Sequence, residues 1–268
     1  MKKLFLLILF VFTGADAQEL SVPVKLLTDN EAAADRYAGR DQFGWHYTIA
    51  NNEFRKQKDG VIVRYKAVSL GTIYRVDLQN PLQIVLFYKK FNTVVMLDNQ
   101  LNETARFDFN EIVPQNRQLP IVAEAVGLAS QNRLWLYDMN TQQAGLYDPA
   151  ARTFKSVTPP FNQQLKTYYS DYNYFYWADD SLNFYAVNLF GKVTHIGTLP
   201  EFDRMQPVSA TQVILQKGNA LYLYSFGENS LQKVGTVEKT ITDFFYTAQI
   251  LTIFTGTHIT EYNITLPE

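Results

Sequence analysis

The sequence predicts an all-β fold assembled from a repeated unit of short strands, and three observations carry that prediction. Apolar residues recur with a period near two rather than 3.6. The apolar runs are short, rich in β-branched and aromatic residues, and each is followed by turn formers. The same order of strand and turn returns roughly every 40 residues, the spacing of a structural repeat.

The first stretch is an address rather than a strand. Lys2 and Lys3 precede an unbroken apolar run from Leu4 to Phe12, and Ala15-Asp16-Ala17 fits the small-x-small pattern of a signal-peptidase site. A run of nine is about half of the roughly 20 apolar residues needed to span a bilayer. Residues 1–17 are therefore expected to be a signal peptide cleaved before Gln18, and residues 18–268 a single domain. No later segment approaches spanning length. The paired lysines and short apolar region point to bacterial export into the periplasm. The chain has no cysteine, which excludes a lipoprotein anchor, disulfides and thiolate metal sites.

In chain order, Trp45 to Ile49, Glu53 to Gln57 and Val61 to Lys66 form a weak first copy of the repeat. Ile84 to Tyr88 and Thr93 to Leu97 follow, closed by Asp98-Asn99. Arg133 to Tyr137 leads through a turn to the strand ending at Asp148, and Tyr174 to Trp177 pairs in the same way with Asn183 to Val187. Val213 to Leu215 with Ala220 to Tyr224, then Leu251 to Phe254 with the run reaching Asn263, complete the series. Only Asp29 to Ala38 and Pro120 to Ala129 could form a helical turn, and the second reads better as a strand.

Asp98, Asp148, Asn188, Ser225 and Asn263 fall at corresponding places in these copies, with separations of 50, 40, 37 and 38 residues. Four short antiparallel strands per unit at this spacing define the blade of a β-propeller. At about 42 residues per blade, residues 18–268 make six, with five or seven as the alternatives. The last copy ends at Leu266 after its third strand, while Leu20 to Leu27 is left over at the other end. This N-terminal segment is expected to supply the missing outer strand and close the ring, which also removes an exposed edge.

The chemistry of the sequence is quiet. Its 17 Tyr, 19 Phe and 3 Trp are explained by packing between blades. The rival reading is an aromatic binding platform, with Tyr168, Tyr169 and Tyr172 the best candidates. His46, His195 and His258 are isolated, and no metal-binding helix motif, nucleophile elbow, phosphate loop or dinucleotide fingerprint occurs. A formal charge of -2 gives no electrostatic footprint for nucleic acid. No cofactor is expected. The enzymatic alternative is a metal-dependent hydrolase with a site in the central channel, for which Asp98, Asp138 and Asp148 are the conceivable ligands.

The signal peptide ending Ala15-Asp16-Ala17, the segment Val76 to Tyr88, Thr93 to Asn99 and Gly127 to Trp135 resemble a family of exported β-propeller proteins of Bacteroidota without catalytic motifs. The resemblance covers most of the chain after residue 17. It implies a periplasmic accessory of the type 9 secretion and gliding machinery, with outer-membrane translocon components as protein partners. The expected function is thus a non-catalytic scaffold or adaptor. The alternative is a small-molecule or glycan-binding or hydrolysing propeller. Candidate partner contacts lie in the long interblade connections, at Pro114 and Arg117, at Pro160 and Phe161, and at Phe202 and Arg204, together with Tyr168 and Tyr169.

Overall fold

The computed structural model describes residues 21–114, 118–235 and 240–267. The predicted signal peptide and its cleavage point lie outside the described residues, as does Arg117.

The chain opens with β1 (Ser21–Val22) and β2 (Val24–Glu31), which belong to the end of the ring rather than to its start. Blade 1 is β3 (Arg36–Arg40), β4 (His46–Ala50), β5 (Glu53–Lys58) and β6 (Val61–Tyr65). Blade 2 is β7 (Arg75–Asp77), β8 (Ile84–Tyr88), β9 (Thr93–Leu97) and β10 (Glu103–Asp108). Blade 3 follows with β11 (Ala123–Ala129), β12 (Arg133–Asp138), β13 (Gln143–Asp148) and β14 (Thr153–Ser156). Blade 4 consists of β15 (Leu165–Ser170), β16 (Tyr174–Asp179), β17 (Asn183–Asn188) and β18 (Val193–Thr198). In blade 5 are β19 (Arg204–Pro207), β20 (Gln212–Lys217), β21 (Ala220–Ser225) and β22 (Ser230–Val234). Blade 6 takes β23 (Asp243–Thr247), β24 (Ile250–Phe254) and β25 (His258–Ile264) from the end of the chain and β2 from its beginning.

The result is the expected six-bladed β-propeller of four-stranded antiparallel sheets. Among the described residues the helical content is two single 3-10 turns, Val68–Leu70 and Lys89–Phe91. Neither segment that could have turned helical does so: Asp29 to Glu31 ends β2, and Ala123 to Ala129 is β11. No described helix is long and apolar enough to cross a membrane.

Ring closure occurs as expected, with the pairing displaced toward the C-terminal side of the predicted segment. β2 runs antiparallel to β25 from Val24 opposite Ile264 to Glu31 opposite His258. β1 turns aside and lies parallel to β22, with Val22 opposite Val234, so it extends blade 5. One N-terminal segment therefore ties the last two blades together.

Burial explains why the strands do not alternate cleanly. β8 (IVLFY), β9 (TVVML) and nearly all of β12 (RLWLYD) are buried, because each blade is covered by a neighbour on both sides. The aromatic residues fill those seams: Trp177 stacks on Phe161 at 4.4 Å and on Tyr185 at 5.1 Å, and Phe184 stacks on Phe226 at 5.6 Å across blades 4 and 5. Packing is close enough at Gly127 of β11 that a Cβ there would lie 1.8 Å from Ser170 Oγ of β15. Glycine at this position lets the inner strands of blades 3 and 4 approach.

Candidate functional site

The innermost strands β3, β7, β11, β15, β19 and β23 surround a central channel holding a cavity of about 180 Å³ lined by residues from all six. Its wall is held together by side chains that reach from one blade to the next. Arg36 Nη1 donates to the Ile73 carbonyl (2.8 Å) from blade 1 to blade 2. Asp77 Oδ2 of blade 2 accepts the Leu128 N–H (2.7 Å) of blade 3. The Val126 N–H donates to Tyr168 Oη (3.2 Å) between blades 3 and 4. Gln206 accepts the Tyr246 N–H (2.8 Å) and donates to its carbonyl (2.7 Å) between blades 5 and 6. Asp243 Oδ2 accepts the Tyr37 N–H (3.3 Å) between blades 6 and 1. Inner strands present a free edge to the channel, and these contacts satisfy backbone N–H and C=O groups that the ladders leave over.

The channel is cationic at one end. Arg36, Arg75 and Arg204 are each the first residue of an inner strand, and all three line the cavity. Arg204 is ion-paired with Asp243. Burial pushes the Asp243 carboxyl up from its ordinary value, against the pull of Arg204. Asp77 is also pushed up by burial, opposed by the Leu128 and Gln79 N–H groups and by Arg75. Tyr169, beside them, has its phenol pushed up to about 12 by burial.

A second feature is built on the same end of the ring. The connections from one blade's outer strand to the next blade's inner strand, and the turns between second and third strands, all emerge on one face. Over blades 1 to 3 this face carries exposed apolar side chains: Val68 (84% exposed) and Tyr74 in the first connection, Phe91 in the turn of blade 2, and Leu119 (61% exposed), Val122 and Met139 farther round. Hydrogen bonds join the turn of blade 2, the connection that follows that blade and the turn of blade 3. Asn110 Nδ2 donates to the Phe91 carbonyl (2.9 Å), and the Met139 N–H donates to the Val122 carbonyl (2.9 Å). Over blades 4 to 6 the described loops of that face expose no large apolar side chain.

The residues expected to be contacts divide three ways. Pro160 is exposed in the connection after β14, as a docking residue must be. Arg204 and Tyr169 line the channel rather than an interblade loop. Pro114, Phe202 and Tyr168 are buried and Phe161 is half-buried. Phe161 fills the space between Tyr137 (4.7 Å) and Trp177, while Tyr168 stacks on Phe175 at 5.8 Å. These four pack the fold: Tyr168 faces inward from β15, and the connections holding the other three dip between blades instead of standing clear of them. Tyr172 is exposed in the turn after β15.

The conceivable metal ligands do not converge. Asp98 and Asp148 accept turn N–H groups beyond their third strands, from Gln100 (2.8 Å) and Ala150 (2.9 Å). Asp138 is fully buried near the opposite end of its blade, where it accepts the Val122 N–H (2.9 Å) and the Thr141 hydroxyl (2.9 Å). None of the three lines the channel cavity. Among the described residues no three His, Asp or Glu side chains are grouped as a metal site.

No protein-family model and no curated protein matches the chain. Its fold is similar to that of a gluconolactonase from Xanthomonas campestris, at 12% identity and a TM-score of 0.61, over 94% of this chain and 96% of that one. It is similar to a streptogramin B lyase, at 9% identity and a TM-score of 0.55, over 90% and 98%. A chain of the mitotic checkpoint complex matches at 9% identity and a TM-score of 0.53, over 99% of both. Likeness at this identity shows the β-propeller fold alone, a fold that serves enzymes and protein assemblies alike. Within that fold, this chain is a six-bladed propeller with an arginine-lined channel and an apolar surface over half of one face.

Proposed function

We propose that the protein is a non-catalytic adaptor, exported to the periplasm, that docks a protein partner on the apolar half-face of blades 1 to 3. The observation that carries this reading is the confinement of exposed apolar side chains, among the described loops of that face, to three adjacent blades. Exposed apolar side chains gathered on one side of a face are unfavourable in water and are characteristic of interaction sites. The aspartates raised as metal ligands are engaged in turns, which also favours binding over hydrolysis. The sequence resemblance to exported Bacteroidota propellers makes the periplasmic side of an outer-membrane type 9 translocon the assembly we propose for it.

Affinity purification from the native envelope tests the docking surface. Wild-type protein is expected to retain a stoichiometric partner, and Val68→Asp combined with Leu119→Asp to lose it by roughly tenfold or more with an unchanged melting curve. Both side chains are largely exposed, so the charges cost the fold little. Recovery of wild-type protein alone, or full retention of the partner by the double variant, would refute the adaptor. Export is tested separately: the mature protein is expected in the periplasmic fraction with Gln18 as its first residue, and an intact Met1 there would refute cleavage.

A further inference from the structure

The three channel arginines stand at one height. Arg36 pairs with Ile49, Arg75 with Phe87 and Arg204 with Gln216, and each partner is the last but one residue of its blade's second strand. Three of the six inner strands thus deliver a guanidinium to the same level of the channel, at the end where it meets the apolar face. Arg36 leans toward Arg75: its Nη1 and Nη2 donate to the carbonyls of Ile73 (2.8 Å) and Tyr74 (3.3 Å), immediately before Arg75. The guanidinium of Arg75 lies over the Tyr168 ring, 4.6 Å from its centroid, and has no hydrogen bond or ion pair among the described residues.

The carboxylates on the wall are already engaged. Asp77 accepts the Leu128 and Gln79 N–H groups, and Asp243 accepts the Tyr37 N–H while pairing with Arg204. Three arginines face two aspartates, so even with both carboxyls ionised the wall keeps a positive excess. Among the described residues, most of the donors of the Arg36 and Arg75 forks have no hydrogen-bond acceptor, and a planar fork matches the two oxygens of a carboxylate. Tyr169, Phe244 and Phe245 add aromatic wall to the cavity, suited to the organic body that such an anion carries.

From this geometry we propose that the channel mouth is a binding site for a singly charged organic carboxylate, gripped between Arg36 and Arg75. The aromatic wall of Tyr169, Phe244 and Phe245 favours an organic carboxylate over inorganic phosphate or sulfate. The carboxylate belongs either to a free small molecule or to the C-terminus of a peptide. The site stands independently of the adaptor reading.

Calorimetric titration with benzoate at constant ionic strength tests it. Saturable binding is expected, weakened at least tenfold in Arg75→Gln and in Arg36→Gln, with inorganic phosphate and sulfate bound more weakly than benzoate. Should the glutamine variants fail to fold, Arg75→Lys keeps the charge and loses the fork, and it is expected to bind benzoate several-fold more weakly. A short peptide ending in Phe separates the two sources: tighter binding of the free acid than of benzoate, lost on C-terminal amidation, assigns the site to chain ends. Equal binding of the amidated peptide would overturn the carboxylate grip. So would absence of benzoate binding, benzoate affinity unchanged in a folded Arg75 variant, or phosphate bound as tightly as benzoate.

Discussion

Deletion of residues 21–31 is expected to lower the melting temperature by roughly 10–20 °C and to convert the protein to oligomers on size exclusion. The deletion removes β2 from β25 along the whole register from Val24 to Glu31, and the parallel pairing of Val22 with Val234. It also removes Val22, which is 2% exposed and packs in the core cluster holding Ile214, Val234, Tyr262 and Ile264. Thr28 Oγ1 donates to Glu261 (3.1 Å), and Asp29 accepts from the Thr260 hydroxyl (3.2 Å). A net 0.5–1.5 kcal/mol per ladder hydrogen bond gives a loss on the order of 5 kcal/mol before the apolar contacts are counted. For a domain of this size each kcal/mol is worth about 2–4 °C. The bare edge of β25 is then a template for pairing with a second molecule, which accounts for the oligomers. A peptide of residues 21–31 added in trans should reverse both effects. A truncated protein that stays monomeric and melts at the wild-type temperature would show that the N-terminal segment does not close the ring.

The second large effect is at Trp135. This side chain is fully buried in the cluster formed with Ala125, Ala129, Phe175 and Val187, and its Nε1 donates to the Asp171 carbonyl (2.9 Å) in blade 4. Trp135→Ala is expected to cost about 3–5 kcal/mol, since blades 3 and 4 are held on both sides and cannot collapse into the cavity. Trp135→Phe keeps much of the ring volume and loses the hydrogen bond, so its cost should be about 1–2 kcal/mol. Chemical denaturation measures both. A Trp135→Ala variant as stable as wild type would mean that this seam is plastic rather than close-packed.

A residue is legible in the sequence when its role is set by its neighbours along the chain. A strand edge such as Ile84 or Leu251 is marked locally, by period-two apolarity and by the turn former behind it. The recurring Asp98, Asp148 and Asn188 were visible for the same reason, and each accepts N–H groups of its own turn. Arg36, Arg75 and Arg204 carry no such mark, because they share no motif and lie far apart in the chain. Their common signal is position, as the first residue of every inner strand that has one, and it becomes visible only when the inner strands are assigned. The apolar half-face leaves a fainter trace, in Val68, Leu119 and Val122 occurring inside connections. The rule that connections lie on the surface makes Phe161 and Phe202 loop contacts; they are covered because their connections cross the seam between two blades.

Local patterning was therefore sufficient for the strands, the six-fold repeat and the need for an N-terminal strand to complete it. The height and direction of each channel side chain were set by the assembled ring. Bulges in the inner strands shift the register between Tyr37 and Gly39, between Ala123 and Ala125, and between Leu165 and Thr167. A shift of one residue exchanges the two faces of a strand. Which side chains then meet in the channel depends on six strands separated by long stretches of chain, and only their closure around a common axis brings those side chains together.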